Sequence, residues 1–369
     1  MRITFVLPFA AFGGGVRAVA MHARHLSLMG HQVTVVSTPR KPDPLRRRLG
    51  SALRGNGWPS PQPQASHLDE LEKTPVRRIL LDRFRPVENR DLPDADAVIA
   101  TWWETAEWVA ALHPDKGEKF YFVQHHEVVF DNQPTDRVEQ TYRLPLHKIA
   151  VARWLSDLMR DQYGVPNVPV VPCGIDHTVF TAPPRGKQTR PTVGMMFARA
   201  AFKGCDIALT AFQMAARNVP GLTLRVFGEK PPAPPLLLPA GATFEQRPSQ
   251  QRIAEIYSSC DAWLFASRSE GFGLPVLEAM ACRTPVIGTP AGIAPEVLPE
   301  GGGVLVRPED SADMAVAIER ISRMKQPEWQ AMSSAAFQTA KQFTWERSAL
   351  MMQAILSHAV RHGKGRVAA

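Results

Sequence analysis

Cysteine is scarce in this chain: Cys173, Cys205, Cys260 and Cys282 stand far apart, with no C-x-x-C pair among them. That excludes a disulfide-stapled scaffold and a structural zinc site, and it suits a reducing, cytoplasmic compartment. No stretch approaches the ~18 uninterrupted apolar residues that a spanning helix needs, so any membrane contact is expected to be peripheral. The opening MRITFVLPFAAFGGG has the outward look of a leader, but a helical pattern and a second strand-like run follow it, so it reads as a first strand. A G-x-G-x-x-G fingerprint is also missing: Gly13, Gly14 and Gly15 are followed by Val16-Arg17-Ala18, and the second strand ends in Ser37-Thr38 rather than an acid. Both facts count against a dinucleotide-dependent oxidoreductase. The one Asp-x-Asp pair, Asp94-Ala95-Asp96, precedes a strand instead of following one, so neither a metal nor another cofactor is expected.

Acidic residues are outnumbered 35 to 43 by Lys and Arg, for a net charge of +8, and the excess is local. Residues 40–56 hold Arg40, Lys41, Arg46, Arg47, Arg48 and Arg54 against Asp43, and the tail adds Arg361, Lys364 and Arg366. The balance of the chain is near neutral. Two separate segments do not make the continuous basic stripe of a nucleic-acid binder, and no aromatic-basic interleaving accompanies them. A solvated surface, anionic lipid headgroups or an anionic saccharide remain as readings of the 40–54 patch. With 44% hydrophobic and 21% charged residues, the 369-residue chain can build about two packed domains.

The pattern is β-α-β, twice. Ile3–Pro8 reads as a strand, residues 16–29 as a helix stopped by Gly30, and Gln32–Ser37 as a second strand. Further strands are expected at 97–100, 119–124 and 168–172, with helices at 102–112 and 154–163. A polar, proline-containing stretch from Asp176 to Thr189 looks like a boundary. The alternation then restarts, with strands at 192–197, 222–228, 242–246, 261–266, 285–288 and 304–307. Helices are expected at 204–217, 250–258, 274–282, 311–324, 327–342 and 345–358, the last amphipathic. Such α/β halves want parallel sheets, and ligands then lie at the carboxyl ends of the strands, in a cleft between the halves.

The strongest local signal is Ser267 to Leu298, SRSEGFGLPVLEAMACRTPVIGTPAGIAPEVL, which follows a strand and opens a helix. Gly271 and Gly273 permit close backbone approach to a ligand, and Pro275 sits where a first helical turn tolerates a missing N–H. The amides of Gly271, Phe272, Gly273 and Leu274 suit a phosphate or a sugar hydroxyl. Glu270 precedes the helix and Glu278 falls a turn inside it, so the two carboxylates can bracket a polyol, or else face solvent. In FARAAFKG, Arg199 and Lys203 follow another strand, where cations stabilise an anion that gains charge as a bond breaks. Gln124-His125-His126-Glu127 and Thr101-Trp102-Trp103-Glu104 follow strands of the first half. His125 is a candidate for a sugar hydroxyl, and His125 and His126 are equally readable as structural. Trp102 and Trp103 are readable as ring-stacking faces or as core. Residues around Gly228, Glu229 and Gln246 are candidates for setting base and sugar choice.

The Glu-Gly-Phe-Gly-Leu-Pro and Leu-Glu-Ala-Met-Ala segments, with seven residues between Glu270 and Glu278, resemble the signature of retaining glycosyltransferase family 4, which has the GT-B fold. The Gly13–Gly15 loop, VVPCGID at 170–176, Lys203-Gly204 and a long final helix extend the likeness over nearly the whole chain. The flavour is that of bacterial enzymes of surface-glycan and polysaccharide biosynthesis, because FVQHHE resembles relatives that read Phe-Val-Gln-Asp-Tyr-Glu. The resemblance implies two Rossmann-like domains facing a central cleft: an acceptor-side domain at 1–175, a nucleotide-sugar-binding domain at 176–345, and a helix at 346–360 crossing back. It implies that Glu270 contacts the transferred sugar, that Glu278 bonds the donor ribose, that Lys203 and Arg199 hold the diphosphate with Gly14 and Gly15, and that His125 serves the sugar site. The arginine-to-lysine interval is one shorter here than is usual, and Gln124 stands where many relatives place a histidine. The implied reaction moves a hexose or deoxyhexose from a nucleotide sugar to a glycan or lipid-linked acceptor, without a metal, on a cytoplasmic protein that can lie at the inner face of the cell membrane. A nucleotide-sugar epimerase of the same fold and a non-catalytic glycan-binding or assembly protein are the alternatives.

Overall fold

Two six-stranded, all-parallel sheets carry the molecule. They appear in a computed structural model that describes residues 1–11, 13–41, 66–131 and 133–363. Most of the 40–54 basic segment and the tail cations Lys364 and Arg366 lie outside the described residues. The chain divides into two units, Met1–Val171 together with Trp345–Ala369, and Pro172–Thr344.

In the first unit the strands are β1 (Arg2–Leu7), β2 (Gln32–Ser37), β3 (Arg77–Leu80), β4 (Ala97–Ala100), β5 (Glu118–Val123) and β6 (His147–Ala150). Their order is β3-β2-β1-β4-β5-β6. Five of six β1 residues and all of β4 are buried, the near-continuous apolar run of strands covered on both faces by helices. Those helices are α1 (Gly14–Leu28), α2 (Trp103–Ala110), α3 (Thr135–Tyr142) and α4 (Arg153–Tyr163). The second unit repeats the plan with β7 (Thr192–Phe197), β8 (Thr223–Gly228), β9 (Thr243–Gln246), β10 (Ala262–Phe265), β11 (Val286–Gly288) and β12 (Gly303–Leu305), ordered β12-β11-β10-β7-β8-β9. Helices α5 (Cys205–Ala216), α6 (Gln250–Ser258), α7 (Leu274–Ala281), α8 (Ala294–Val297), α9 (Ser311–Arg323) and α10 (Gln326–Ala340) cover it. Its core joins Val193, Met195 and Phe197 of β7 to Phe212, Ile318 and Trp329. The order reverses between β1 and β4, and again between β7 and β10. Adjacent strands there send their connections in opposite directions, which opens a crevice at their carboxyl ends.

The final helix α11 (Trp345–Gly363) belongs to the first unit. Its Trp345, Ala349, Met352, Leu356 and Val360 are buried, and its Trp345 ring meets His22 of α1 edge-on, centroids 5.7 Å apart. Burying a large apolar side chain is worth about 1.5–3 kcal/mol, so this seam is a substantial part of that unit's stability.

Several elements depart from expectation. The strand expected at 168–172 is a single bridge between Ala150 and Val170, because Pro166, Pro169 and Pro172 have no N–H to give a ladder. Strand β3 was not anticipated; its Arg77 and Arg78 read as surface, and they charge an outer edge of the sheet. Helix α3 was also missed, since it buries only Val138, Thr141 and Tyr142 and carries little apolar periodicity. The stretch 176–189 lies within the second unit, and the division falls at Val171/Pro172. Its polar groups are used in place: Gln188 N–H donates to Asp261 Oδ1 at 2.7 Å, and Arg185 donates to Thr284 Oγ1 at 2.8 Å and to the Cys260 carbonyl.

Candidate functional site

In the second unit, the loops after β7 and β10 meet at the point of strand reversal. Gly204 makes the meeting sterically feasible. Its φ is +61°, and a Cβ there would stand 1.9 Å from the carbonyl oxygen of Ala266. The short turn Ala201–Lys203 then presents the Lys203 Nζ to Glu270 Oε1 at 2.6 Å, and Ser267 Oγ donates to the same oxygen at 2.8 Å. Glu270 is buried and Lys203 retains partial access to solvent. Behind the carboxylate, Gly292 has φ +58°, and a Cβ there would run into the Phe272 carbonyl and stand 3.1 Å from the Glu270 Cβ. Gly273, at φ +88°, caps α7 without a side-chain bond, with Pro275 in the first turn. Glu278 lies on the buried side of α7 and accepts from the Tyr257 hydroxyl of α6 at 3.1 Å.

One guanidinium braces this arrangement. Arg268 donates to both Asp206 oxygens at 2.9 and 2.8 Å, to both Glu309 oxygens at 2.7 and 2.9 Å, and to the Ala201 carbonyl at 2.6 Å. Its backbone N–H donates to the Phe202 carbonyl at 2.8 Å. The Arg268 guanidinium holds the Asp206 carboxyl below its usual range. Sequence reasoning passed over Arg268, although its place two residues before Glu270 was a usable signal. Arg199 takes a different direction: it is exposed and donates to the Pro231 carbonyl at 3.0 Å, so Lys203 is the cation the fold brings to Glu270. Beyond β8, Gln246 donates to the Glu229 carbonyl at 3.2 Å, and Arg247 pairs with the Glu229 carboxylate.

In the first unit, the ends of β1, β4 and β5 are drawn together. Gly13 caps α1, and Gly14 and Gly15 open it. A Cβ on Gly15 would stand 3.3 Å from Gln124 Oε1, while Gln124 Nε2 donates to the Thr101 carbonyl at 3.3 Å. His125 follows, half-buried, its ring 4.8 Å from that of Phe130, its Nδ1 3.2 Å from the His126 carbonyl. His126 turns away to the Tyr163 hydroxyl at 2.7 Å, and burial lowers its pKa, so it is a neutral structural link. Trp103 is core and donates Nε1 to Gln133 at 2.9 Å, whereas Trp102 is half-buried against Phe130. Asp94 and Asp96 lie before β4 and are occupied, the first by Lys116 at 2.9 Å, the second by the Arg2 N–H at 2.8 Å. Among the described residues no cluster of three or more His, Cys, Asp or Glu is placed to hold a metal, and no helix is long and apolar enough to cross a membrane.

Two doubly wound α/β units of this plan are the GT-B fold, and solved structures agree. The chain is similar to sucrose-phosphate synthase from Thermosynechococcus elongatus, with TM-score 0.74 and 18% identity over 98% of this chain and 100% of that one. It is similar to HepE from Anabaena in complex with UDP and glucose, with TM-score 0.70 and 16% identity over 97% and 100%. Residues 12–179 match the model of Glycosyltransferase Family 4, and residues 181–339 that of Glycosyl transferases group 1; the chain belongs to this family. Among curated sequences it is 34% identical over 181 residues to D-inositol 3-phosphate glycosyltransferase of Segniliparus rotundus, a match covering 44% of this chain and 38% of that protein. The chain spans from about a fifth to two fifths of the length of the curated relatives it matches.

Proposed function

We propose that the protein transfers a hexose or deoxyhexose from a nucleotide sugar to a glycan or lipid-linked acceptor, with retention at the anomeric carbon and without a metal. The observation that carries the reading is the Lys203–Glu270 pair at the carboxyl ends of β7 and β10, inside a matched family segment. A departing nucleoside diphosphate gains negative charge as the glycosidic C–O bond breaks. Lys203 is the cation placed to stabilise that charge, and a cation aimed at developing charge lowers the barrier more than it tightens ground-state binding. Glu270 orients Lys203 through the 2.6 Å bond and offers its other oxygen to the sugar. Glu278, held by Tyr257, takes the ribose hydroxyls. Retention is read as a front-side transfer in which the leaving diphosphate accepts the acceptor proton. In the first unit, Gln124, His125 and the Gly14–Gly15 backbone form the sugar-side and acceptor-side surface. HepE's complex with UDP and glucose supports a nucleotide-sugar donor. The cell-envelope setting, with anionic membrane contact through the basic 40–54 segment, is part of the same proposal.

The experiment is a panel of nucleotide sugars scored by thermal shift and by release of nucleoside diphosphate, with and without EDTA. Ligand binding to the folded state raises Tm by mass action. One donor should stand out and turn over undiminished in EDTA, and NMR of the product should show the donor's anomeric configuration. Absence of a shift with every donor would overturn the transferase reading, and loss of turnover in EDTA would overturn the metal-free one.

A further inference from the structure

Glu127 is a carboxyl with no contact to solvent, directly after Gln124-His125-His126. Its Oε2 accepts from the Trp103 N–H at 2.6 Å and from the Tyr121 hydroxyl at 3.0 Å. The Trp103 amide is the first of α2 and has no partner within its own helix, so the carboxyl satisfies an orphan donor at that helix's start. The backbone N–H of Glu127 donates to the Tyr142 hydroxyl at 2.8 Å, and that hydroxyl in turn donates to the His125 carbonyl at 3.4 Å. Its Oε1 is buried and has no hydrogen-bond partner. An unpaired carboxyl oxygen in the interior carries a penalty that a position needing no acceptor would shed by substitution to an apolar residue.

We infer that Glu127 is a positioning residue: it fixes the loop after β5, and with it Gln124 and His125, against the loop after β4 and the start of α2. The inference rests on the sugar-side role proposed above for Gln124 and His125. The logic is mechanical. Gln124 reaches back to the Thr101 carbonyl after β4, and its Oε1 lies where a Cβ on Gly15, at the start of α1, would come within 3.3 Å, so three strand ends are registered through one side chain. That upper tie is a single, partly exposed 3.3 Å bond. The lower tie, through Glu127, is buried and short, and it sets the separation of the two loops. Burial pushes the Glu127 carboxyl up to about 8, with Glu104 adding to the rise, so it stays neutral at pH 7. The titratable groups facing it are Glu104 on α2, Tyr121 on β5, Tyr142 on α3 and its neighbours His125 and His126. Both tyrosines are held far above their usual range by burial, so neither takes its proton near neutrality.

The test compares Glu127→Gln and Glu127→Ala in the full chain, using the best donor from the panel above. Gln keeps an acceptor for Trp103 and Tyr121 and should hold kcat near the parent value. Ala should lower kcat on the order of tenfold or more, with donor KM changed far less, because misplacement of reacting groups by a fraction of an ångström is felt in the chemical step. Amide exchange supplies a readout independent of activity: segments 101–105 and 124–128 should exchange faster together in the Ala variant. Equal losses in Gln and Ala would make the carboxyl a reacting group and overturn the positioning role, as would an Ala variant with unaltered exchange and kcat. Coupled exchange in a parent that turns over no nucleotide sugar would keep the tie and overturn the transferase reading instead.

Discussion

Lys203 and Glu270 lie 67 positions apart in sequence and 2.6 Å apart in space, and the consequence of losing either is different in kind. Glu270→Gln keeps shape and a hydrogen bond to Lys203 but removes the charge that orients the ammonium. We expect kcat to fall on the order of a hundredfold or more, by analogy with removal of one preorganised electrostatic partner, with Tm nearly unchanged. Steady-state turnover beside a melting curve checks this; unaltered kcat would dismiss Glu270 from the mechanism. A second residue carries a pH prediction. His22 is fully buried between Phe122 and Trp345, and burial lowers its pKa to about 3 from an ordinary 6.5. Between these values the unfolded chain binds a proton that the folded chain refuses, so stability is full above 6.5 and falls as pH drops toward 3. Urea unfolding at pH 7, 5.5 and 4 should show that decline for the first unit, and a His22→Asn variant should show a shallower one.

At the scale of elements, the site is a matter of where loops are pinned. Arg268 joins α5, the Ala201–Lys203 turn and the loop before α9 through five side-chain hydrogen bonds. Exposed ion pairs one at a time contribute little, yet a bidentate network from a planar guanidinium has geometric value that a lysine cannot reproduce. Arg268→Lys should therefore lower kcat severalfold with modest loss of Tm, and added salt should not restore it. A lysine variant with full activity would show that the turn carrying Lys203 needs no such brace. The glutamate pair was legible from sequence because a helix start with Gly, Pro and two carboxylates is a local pattern. The brace was not, because Asp206 and Glu309 reach Arg268 only after three βα units have closed into one sheet. Strand β3 and helix α3 were missed for a related reason: their placement depends on the neighbours they cover, and their own residues are mostly polar.

At the scale of the whole molecule, the chain builds one unit from both its ends. Helix α11 returns to α1, burying Trp345, Ala349, Met352 and Leu356. Ending the chain before Trp345 should expose that face, so hydrogen exchange should quicken throughout α1 and β5 while the protected core of the second unit, around Val193, Leu264 and Trp329, exchanges as before. Uniform loss of protection in both units would show that they do not fold as separate bodies. The sequence by itself determined the doubled β-α-β plan, the parallel sheets and the glutamate signature, because periodicity and turn chemistry act over a few residues and are written where they act. It also determined that Gly13–Gly15 and the Gln124–Glu127 segment follow strands, which puts them at carboxyl ends. Only the tertiary structure decided that Lys203 rather than Arg199 meets Glu270, and that Glu127 is a buried tie. Each of those depends on which strand ends become neighbours, and strand order is set by the burial of both sheet faces across the whole unit.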